Sequence, residues 1–185
     1  MLNFFRDNSR IITKLLFYQF GAAFFSGMMI LAVPDDNATL GLAIGIFCAL
    51  FLVFLNHVVL WEDGATCRLR VDAGRAAYRP LKGLYIMLSV NIPNFLFALL
   101  YILGSKAGPF ALDWGILKIT TAIMMFWEAM YVRVVQAIGE SPFLWLLAPV
   151  PAILLGFISY WLGLAGCRAF GVLSGPKVEK TKKRK

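Results

Sequence analysis

The sequence predicts an all-α protein, a multi-pass transmembrane helical bundle, and two observations lead to that prediction. Of the 185 residues, 60% are hydrophobic and only 15% are charged, with a mean hydropathy of +0.75, whereas soluble domains average about 45–50% apolar and about 25% charged residues. The apolar residues also occur in blocks about 20 residues long, the length of a helix that crosses the hydrocarbon core of a bilayer. This composition excludes a soluble globular domain, a disordered chain and a disulfide-stabilised secreted domain.

Four apolar blocks are the predicted spans, and turn or charged residues delimit each of them. The first block ends at Pro34, and the second carries no charge until Glu62. The third begins after Gly83, and the fourth follows Pro142, which suits the first position of a helix. The predicted transmembrane domain covers residues 1–166, with spans at 11–33, 40–61, 84–103 and 143–164, and a basic cytoplasmic tail follows at 167–185.

Residues 115–138 differ from these blocks because polar residues recur on one side of the predicted helix. At 100° per residue, Lys118, Glu128, Arg133 and Gln136 fall within one sector of about 140°. Such a helix either lies in the interface or crosses with its polar side against the bundle. We expect an interfacial or shallowly re-entrant helix with Glu128 facing water, and a fifth span is the alternative.

The distribution of basic residues favours four spans over five. With four spans and a cytoplasmic N-terminus, fifteen of the 18 Lys and Arg residues lie on the cytoplasmic side, whereas a fifth span divides them nine to nine. We therefore expect a cell-membrane protein with both termini in the cytoplasm and with anionic inner-leaflet headgroups as its lipid partner. The residues expected to contact those headgroups are Arg68, Arg70, Arg75, Arg79 and Lys82.

The segment between the second and third predicted spans carries three short motifs. They are a Trp-x-x-Gly sequence at 61–64, which we interpret as a turn, a Val-x-x-Gly-Arg sequence at 71–75, and Pro-Leu-Lys-Gly-Leu at 80–84. In these motifs and in its lysine-rich tail the chain resembles a group of small, uncharacterised membrane proteins of Gram-positive anaerobic bacteria. The resemblance implies four spans and no known activity.

Several polar or small side chains fall within the predicted membrane segments. Because Pro93 removes a backbone donor, we expect a kink there, with Asn91 or Asn94 hydrogen-bonded across helices. Gly41 and Gly45 form a Gly-x-x-x-Gly pair, which allows close helix packing within one chain or between two copies. The candidate intramembrane polar positions are Asn56, His57, Asn91, Asn94 and Glu128.

The sequence contains no pattern typical of a catalytic, cofactor or metal site. Its three cysteines are too far apart for a local metal or redox motif, and it has no His-Glu-x-x-His, Gly-rich phosphate loop or Gly-x-Ser-x-Gly. Its net charge of +8 lies mainly in topology-setting clusters, so nucleic acid is not an expected partner. We expect no enzyme and no cofactor.

The leading hypothesis is a non-enzymatic accessory or scaffold component of the membrane, which forms a homo-oligomer or binds another membrane protein. The alternative is a small-solute or ion transporter or channel subunit working as an oligomer.

Overall fold

The computed structural model describes residues 2–34, 37–104, 114–139 and 141–166, and every regular element among them is an α-helix. The predicted all-helical class is confirmed for this part of the chain, whereas the predicted tail at 167–185 lies outside it. The helices are α1 Leu2–Leu31, α2 Ala38–Asp72, α3 Lys82–Val90, α4 Ile92–Gly104, α5 Trp114–Trp127, α6 Ala129–Ile138, α7 Leu144–Leu147 and α8 Val150–Ala165.

Three stretches of helix are long and apolar enough to cross a membrane. They are α1, α2 and the consecutive helices α7 and α8. The pair α3 and α4 is a fourth candidate if the two helices, which meet at a bend of 46°, count as one span. Many large apolar side chains on these helices are exposed on the outside of the bundle. These features are compatible with a membrane protein.

The helices run in two opposing directions. Helices α1 and α3–α4 run the same way, because Phe4 contacts Tyr85 edge to face and Gln19 bonds Asn94 further along both. Helices α2 and α8 run together in the other direction. Their contacts keep the same order along both helices, with Leu60 against Gly156, Gly64 against Tyr160, and Arg68 bonded to Leu164. We call the end where α1 begins and α2 ends the basic end, and the opposite end the distal end.

Helix α2 departs most from the sequence prediction, because it continues eleven residues past the predicted end of the second span. The interpretation of residues 61–64 as a turn was wrong. Gly64 is buried inside α2, where a Cβ atom would lie 2.2 Å from the carbonyl oxygen of Tyr160 on α8. The glycine therefore serves a close helix contact, and α2 continues to Asp72, two residues before Gly74, which has a left-handed φ of 69°.

The predicted kink in the third span is confirmed. Helix α3 ends at Val90, Asn91 interrupts it, and Pro93 is the second residue of α4. Because Pro93 has no N–H, the helix loses one backbone hydrogen bond at this point, and the two halves diverge by 46°.

The segment predicted at 115–138 is helical, with a break at Glu128. The prediction that Glu128 faces water was wrong, because its side chain is completely buried. The reason is that α6 packs against both α1 and α2, so part of its polar side is turned toward other helices. Ile119 and Ile123 are exposed instead. The sequence pattern thus identified the polar sector of this helix, but it did not show whether that sector faces solvent or the neighbouring helices.

Candidate functional site

A chain of hydrogen-bonded side chains, which we call the polar centre, connects three helices and the break in the third predicted span. Asn94 Oδ1 accepts from both Gln19 Nε2 on α1 and Trp127 Nε1 on α5. Asn94 Nδ2 donates to Asn91 Oδ1 at 2.9 Å, and Asn91 Nδ2 donates to the carbonyl oxygen of Met87 at 2.8 Å. Both asparagines and Gln19 are buried. The network therefore fixes the bend between α3 and α4 against α1 and α5.

Gln19 and Trp127 are members of this centre that the sequence analysis did not identify. Gln19 interrupts the apolar block of α1, and Trp127 is the last residue of α5. A single side-chain amide in an apolar helix requires a hydrogen-bonding partner on another helix, because lipid offers none. The amide of Asn94 is that partner. The signal that identifies Gln19 is thus the presence of complementary amides in two different apolar blocks.

Glu128 lies directly after Trp127, at the break between α5 and α6. Its side chain is 0% exposed, and neither carboxylate oxygen has a hydrogen-bond partner among the described residues. The hydroxyls of Tyr131, on the next turn of α6, and Ser26, on α1, are also buried and without a hydrogen bond there. Burying a carboxylate without a partner is costly, and such orphaned groups call for a proton, a bound ion or a ligand.

The remaining candidate polar residues lie on α2. Asn56 is buried, and its Oδ1 atom has no hydrogen-bond partner in the described part of the chain. His57 Nδ1 lies 2.8 Å from Ser159 Oγ on α8. Since the Ser159 hydroxyl donates to the Leu155 carbonyl oxygen at 2.6 Å, it accepts its bond from an Nδ1–H of His57. His57 is thus connected to α8 and not to the polar centre.

The glycine pair of α2 lies against α6. A Cβ atom at Gly45 would be 2.8 Å from the Cβ of Arg133, and one at Gly41 would be 3.4 Å from its Nε atom. Both glycines are buried. Their lack of a side chain provides the space that the long Arg133 side chain occupies near the start of α2.

A second glycine contact joins α2 and α8 nearer the basic end, and we call Gly64 and Gly163 the glycine seam. A Cβ atom at Gly163 would lie 2.2 Å from the Trp61 carbonyl oxygen, and one at Gly64 equally close to the Tyr160 carbonyl oxygen. No spacing within one helix indicates this seam, because its two glycines lie on different helices.

The five residues expected at lipid headgroups separate into two groups. Four gather at cavities of the basic end: Arg70, Arg75, Arg79 and Lys82. Arg68 instead donates to the carbonyl oxygens of Ala165 at 2.5 Å and Leu164 at 3.4 Å, and pairs with Asp72 at 3.4 Å. Arg68 therefore stabilises the C-terminus of α8, where a cation is electrostatically favoured.

Comparisons with known protein families, with curated proteins and with solved structures find no match to this chain. The resemblance of residues 61–84 to small membrane proteins of Gram-positive anaerobic bacteria stays a prediction. The residues that the structure describes hold no group of three or more His, Cys, Asp or Glu side chains placed to bind a metal ion.

Proposed function

We propose that the protein is a non-enzymatic integral membrane protein that binds a small cation inside its helical bundle, as a transporter or channel subunit does. The observation that supports this proposal is the buried carboxylate of Glu128, which has no hydrogen-bond partner within the described ranges of the chain. Ionisable side chains at membrane depth are rare, and they mark ion pathways or ligand sites. The polar centre next to it, at the meeting point of two broken helices, is of the kind found at binding sites of transporters.

The proposed arrangement has four spans and one re-entrant helix pair. Helices α1, α2, α3–α4 and α7–α8 are the spans. Helix α6 has 10 residues, so it covers about 15 Å, half of the hydrocarbon core. Its last turn, at Gln136 and Ala137, lies beside Ala38 and Thr39 at the distal start of α2. Helix α5 packs on α4 and α1. These contacts favour a helix pair that enters from the distal side and leaves on the same side.

A small cation suits this site because of the chemistry of its buried groups. The carboxylate of Glu128 supplies a negative charge, and the hydroxyl of Tyr131, on the next turn of α6 and within its electrostatic reach, supplies a neutral oxygen. A cation compensates the negative charge of a buried carboxylate, whereas a neutral apolar solute cannot do so. The satisfied polar centre holds the neighbouring helices in place, so the site requires little rearrangement to bind.

The topology is tested by labelling single cysteines in intact cells, in a variant with Cys48, Cys67 and Cys167 replaced by Ala. Asp36→Cys and Gly108→Cys should react with a membrane-impermeant reagent from outside. Asp72→Cys and Lys180→Cys should react only after the cells are opened. Labelling of Lys180→Cys from outside contradicts four spans and makes residues 115–138 a fifth span.

Cation binding is tested on the purified full chain in mild detergent. We expect one or more of Na⁺, K⁺, guanidinium and tetramethylammonium to raise the melting temperature at constant ionic strength. Glu128→Gln should abolish that shift, while Glu62→Gln, the same change at an exposed glutamate of α2, should preserve it. An equal response of both variants contradicts the proposal. So does the absence of any shift, and co-purification of a stoichiometric membrane partner would then support the accessory or scaffold role.

A further inference from the structure

The basic end holds two polar cavities that share one wall. Their volumes are about 410 and 520 Å³, each more than ten times the roughly 30 Å³ that one water occupies in the liquid. Both are lined by the first turns of α1 and the last turns of α2. The residues that line both include Asp7, Asn8, Asp63, Thr66, Arg70 and Lys82.

Cations outnumber anions around these cavities. The basic lining residues are Arg10, Lys14, Arg70, Arg75, Arg79 and Lys82, and the acidic ones are Asp7, Glu62 and Asp63. Lys82 Nζ and Asp63 Oδ2 neutralise each other in an ion pair at 2.8 Å. The rest of the lining then carries five positive and two negative side chains, which is an environment for an anion.

An apolar groove adjoins the basic cavities. It has a volume of about 320 Å³ and is lined by Phe4, Pro80, Leu81 and Tyr85 together with Arg79 and Lys82. Arg79 and Lys82 also line the first polar cavity. The same two side chains thus form the border between a cationic site and an apolar one, so the combined surface suits a molecule with an anionic head and an apolar tail.

Residues 79–83, which carry this border, are held in place by contacts with α8. The Tyr160 hydroxyl on α8 donates to the Arg79 carbonyl oxygen at 3.3 Å, and the Tyr160 ring fills the space that a side chain at Gly83 would need. Lys82 Nζ lies 6.0 Å from the centre of the same ring. The backbone that carries Arg79 and Lys82 is therefore fixed before a ligand arrives.

We propose that this surface binds one anionic phospholipid from the leaflet at the basic end. The phosphate headgroup occupies the cationic cavities, and the first carbons of one acyl chain lie along Phe4, Leu81 and Tyr85. The acyl chain distinguishes this ligand from free phosphate, which has no apolar part to bind in the groove. The negative headgroup distinguishes it from a zwitterionic lipid, which leaves the excess of cations uncompensated.

The test is a titration of the purified full chain in a neutral detergent, with the melting temperature as readout. Dioctanoyl phosphatidylglycerol should stabilise the protein, whereas dioctanoyl phosphatidylcholine and glycerol 3-phosphate should have little effect. Arg70→Gln and Arg75→Gln should each weaken the apparent affinity by about fivefold, the effect of losing one basic group near an anionic leaflet. Leu81→Ser should also weaken the apparent affinity, because it replaces an apolar contact of the acyl chain with a polar side chain.

Arg6→Gln is the matched control, because Arg6 is an exposed cation on α1 at the same end of the bundle but does not line either cavity. It should leave the affinity unchanged. A loss equal to that of Arg70→Gln means that general electrostatic attraction suffices, which overturns the proposal. Equal stabilisation by phosphatidylcholine, or by glycerol 3-phosphate, likewise overturns the assignment of an anionic lipid.

Discussion

Helix α2 uses glycine in two different ways at its two ends. At the glycine seam, Gly64 and Gly163 bring the backbones of α2 and α8 into contact, with no space for even one methyl group. Near the distal end, Gly41 and Gly45 face the side chain of Arg133 instead. The first contact holds two rigid backbones together, whereas the second makes room for a flexible polar side chain.

The difference indicates which half of the bundle is able to rearrange. Backbone-to-backbone contact leaves little alternative packing, because the atoms in contact belong to the helix backbones and not to side chains that can change rotamer. The distal half depends on side chains, because Arg133 lies over Gly41 and Gly45 and the hydrogen-bonded amides of the polar centre join the helices. The buried Glu128 belongs to this half. Four substitutions test the comparison.

Gly163→Ala should have the largest effect, because its methyl group would lie 2.2 Å from the Trp61 carbonyl oxygen. Overpacking costs about 1–3 kcal/mol and occasionally more; because backbone must move here, we expect a loss at or above the upper end of that range and little monodisperse protein in detergent. Gly27→Ala on α1, where nothing lies within 4 Å of the added methyl group, is the control. Equal stability of both variants in thermal unfolding contradicts a rigid seam.

Asn94→Leu should have the next largest effect. It removes the acceptor of two interhelical hydrogen bonds and the donor of a third. We expect a loss of about 1.5 kcal/mol, above the average of about 0.6 kcal/mol for one such pair in a membrane protein. Ser89→Ala, which removes a bond within α3 only, is the control. If chemical unfolding finds no difference between them, the polar centre does not stabilise the distal half.

Gly45→Ala should cost about 1 kcal/mol, since its methyl group would be 2.8 Å from the Cβ of Arg133 and α6 must shift to relieve the contact. Gly41→Ala, at 3.4 Å from the far end of the same side chain, should be close to neutral. A loss at Gly45 as large as that at Gly163, measured in the same melting assay, would remove the distinction between the two ends of α2.

Arg68→Gln should have the smallest effect, about 0.5 kcal/mol, because the side chain is partly exposed and its charge favours the C-terminus of α8 only locally. Arg70→Gln, a change at a residue that lines the cavities, should leave the melting temperature unchanged in lipid-free detergent. A larger loss for Arg70 than for Arg68 contradicts the role given to Arg68.

The sequence predicted the helical class and the kink near Pro93, because both follow from composition and from local backbone chemistry. It did not predict the length of α2, since charged residues after Trp61 resemble a loop in a hydropathy pattern although they also suit an exposed helix. The end of α2 at Asp72 is followed by a left-handed conformation at Gly74, which a glycine permits but does not require.

The candidate site was predicted only in part for a similar reason. Asn91, Asn94 and Glu128 are conspicuous as polar residues in apolar blocks, so composition alone identifies them. Their partners depend on which helices are neighbours, and no local pattern specifies that Gln19 and Trp127 meet Asn94. The burial of Glu128 likewise depends on the packing of α6 against α1 and α2.

The unbroken length of α2 gives the bundle a mechanical property. The helix has 35 residues, or about 52 Å, and the seam at Gly64 divides it into unequal arms. About 28 Å separate Gly64 from Gly45, and about 12 Å separate it from Asp72. Any rotation of α2 as a rigid body about the seam would move its short arm less than half as far as its long arm. One continuous helix thus joins the surroundings of the buried carboxylate to the wall that Arg70 forms.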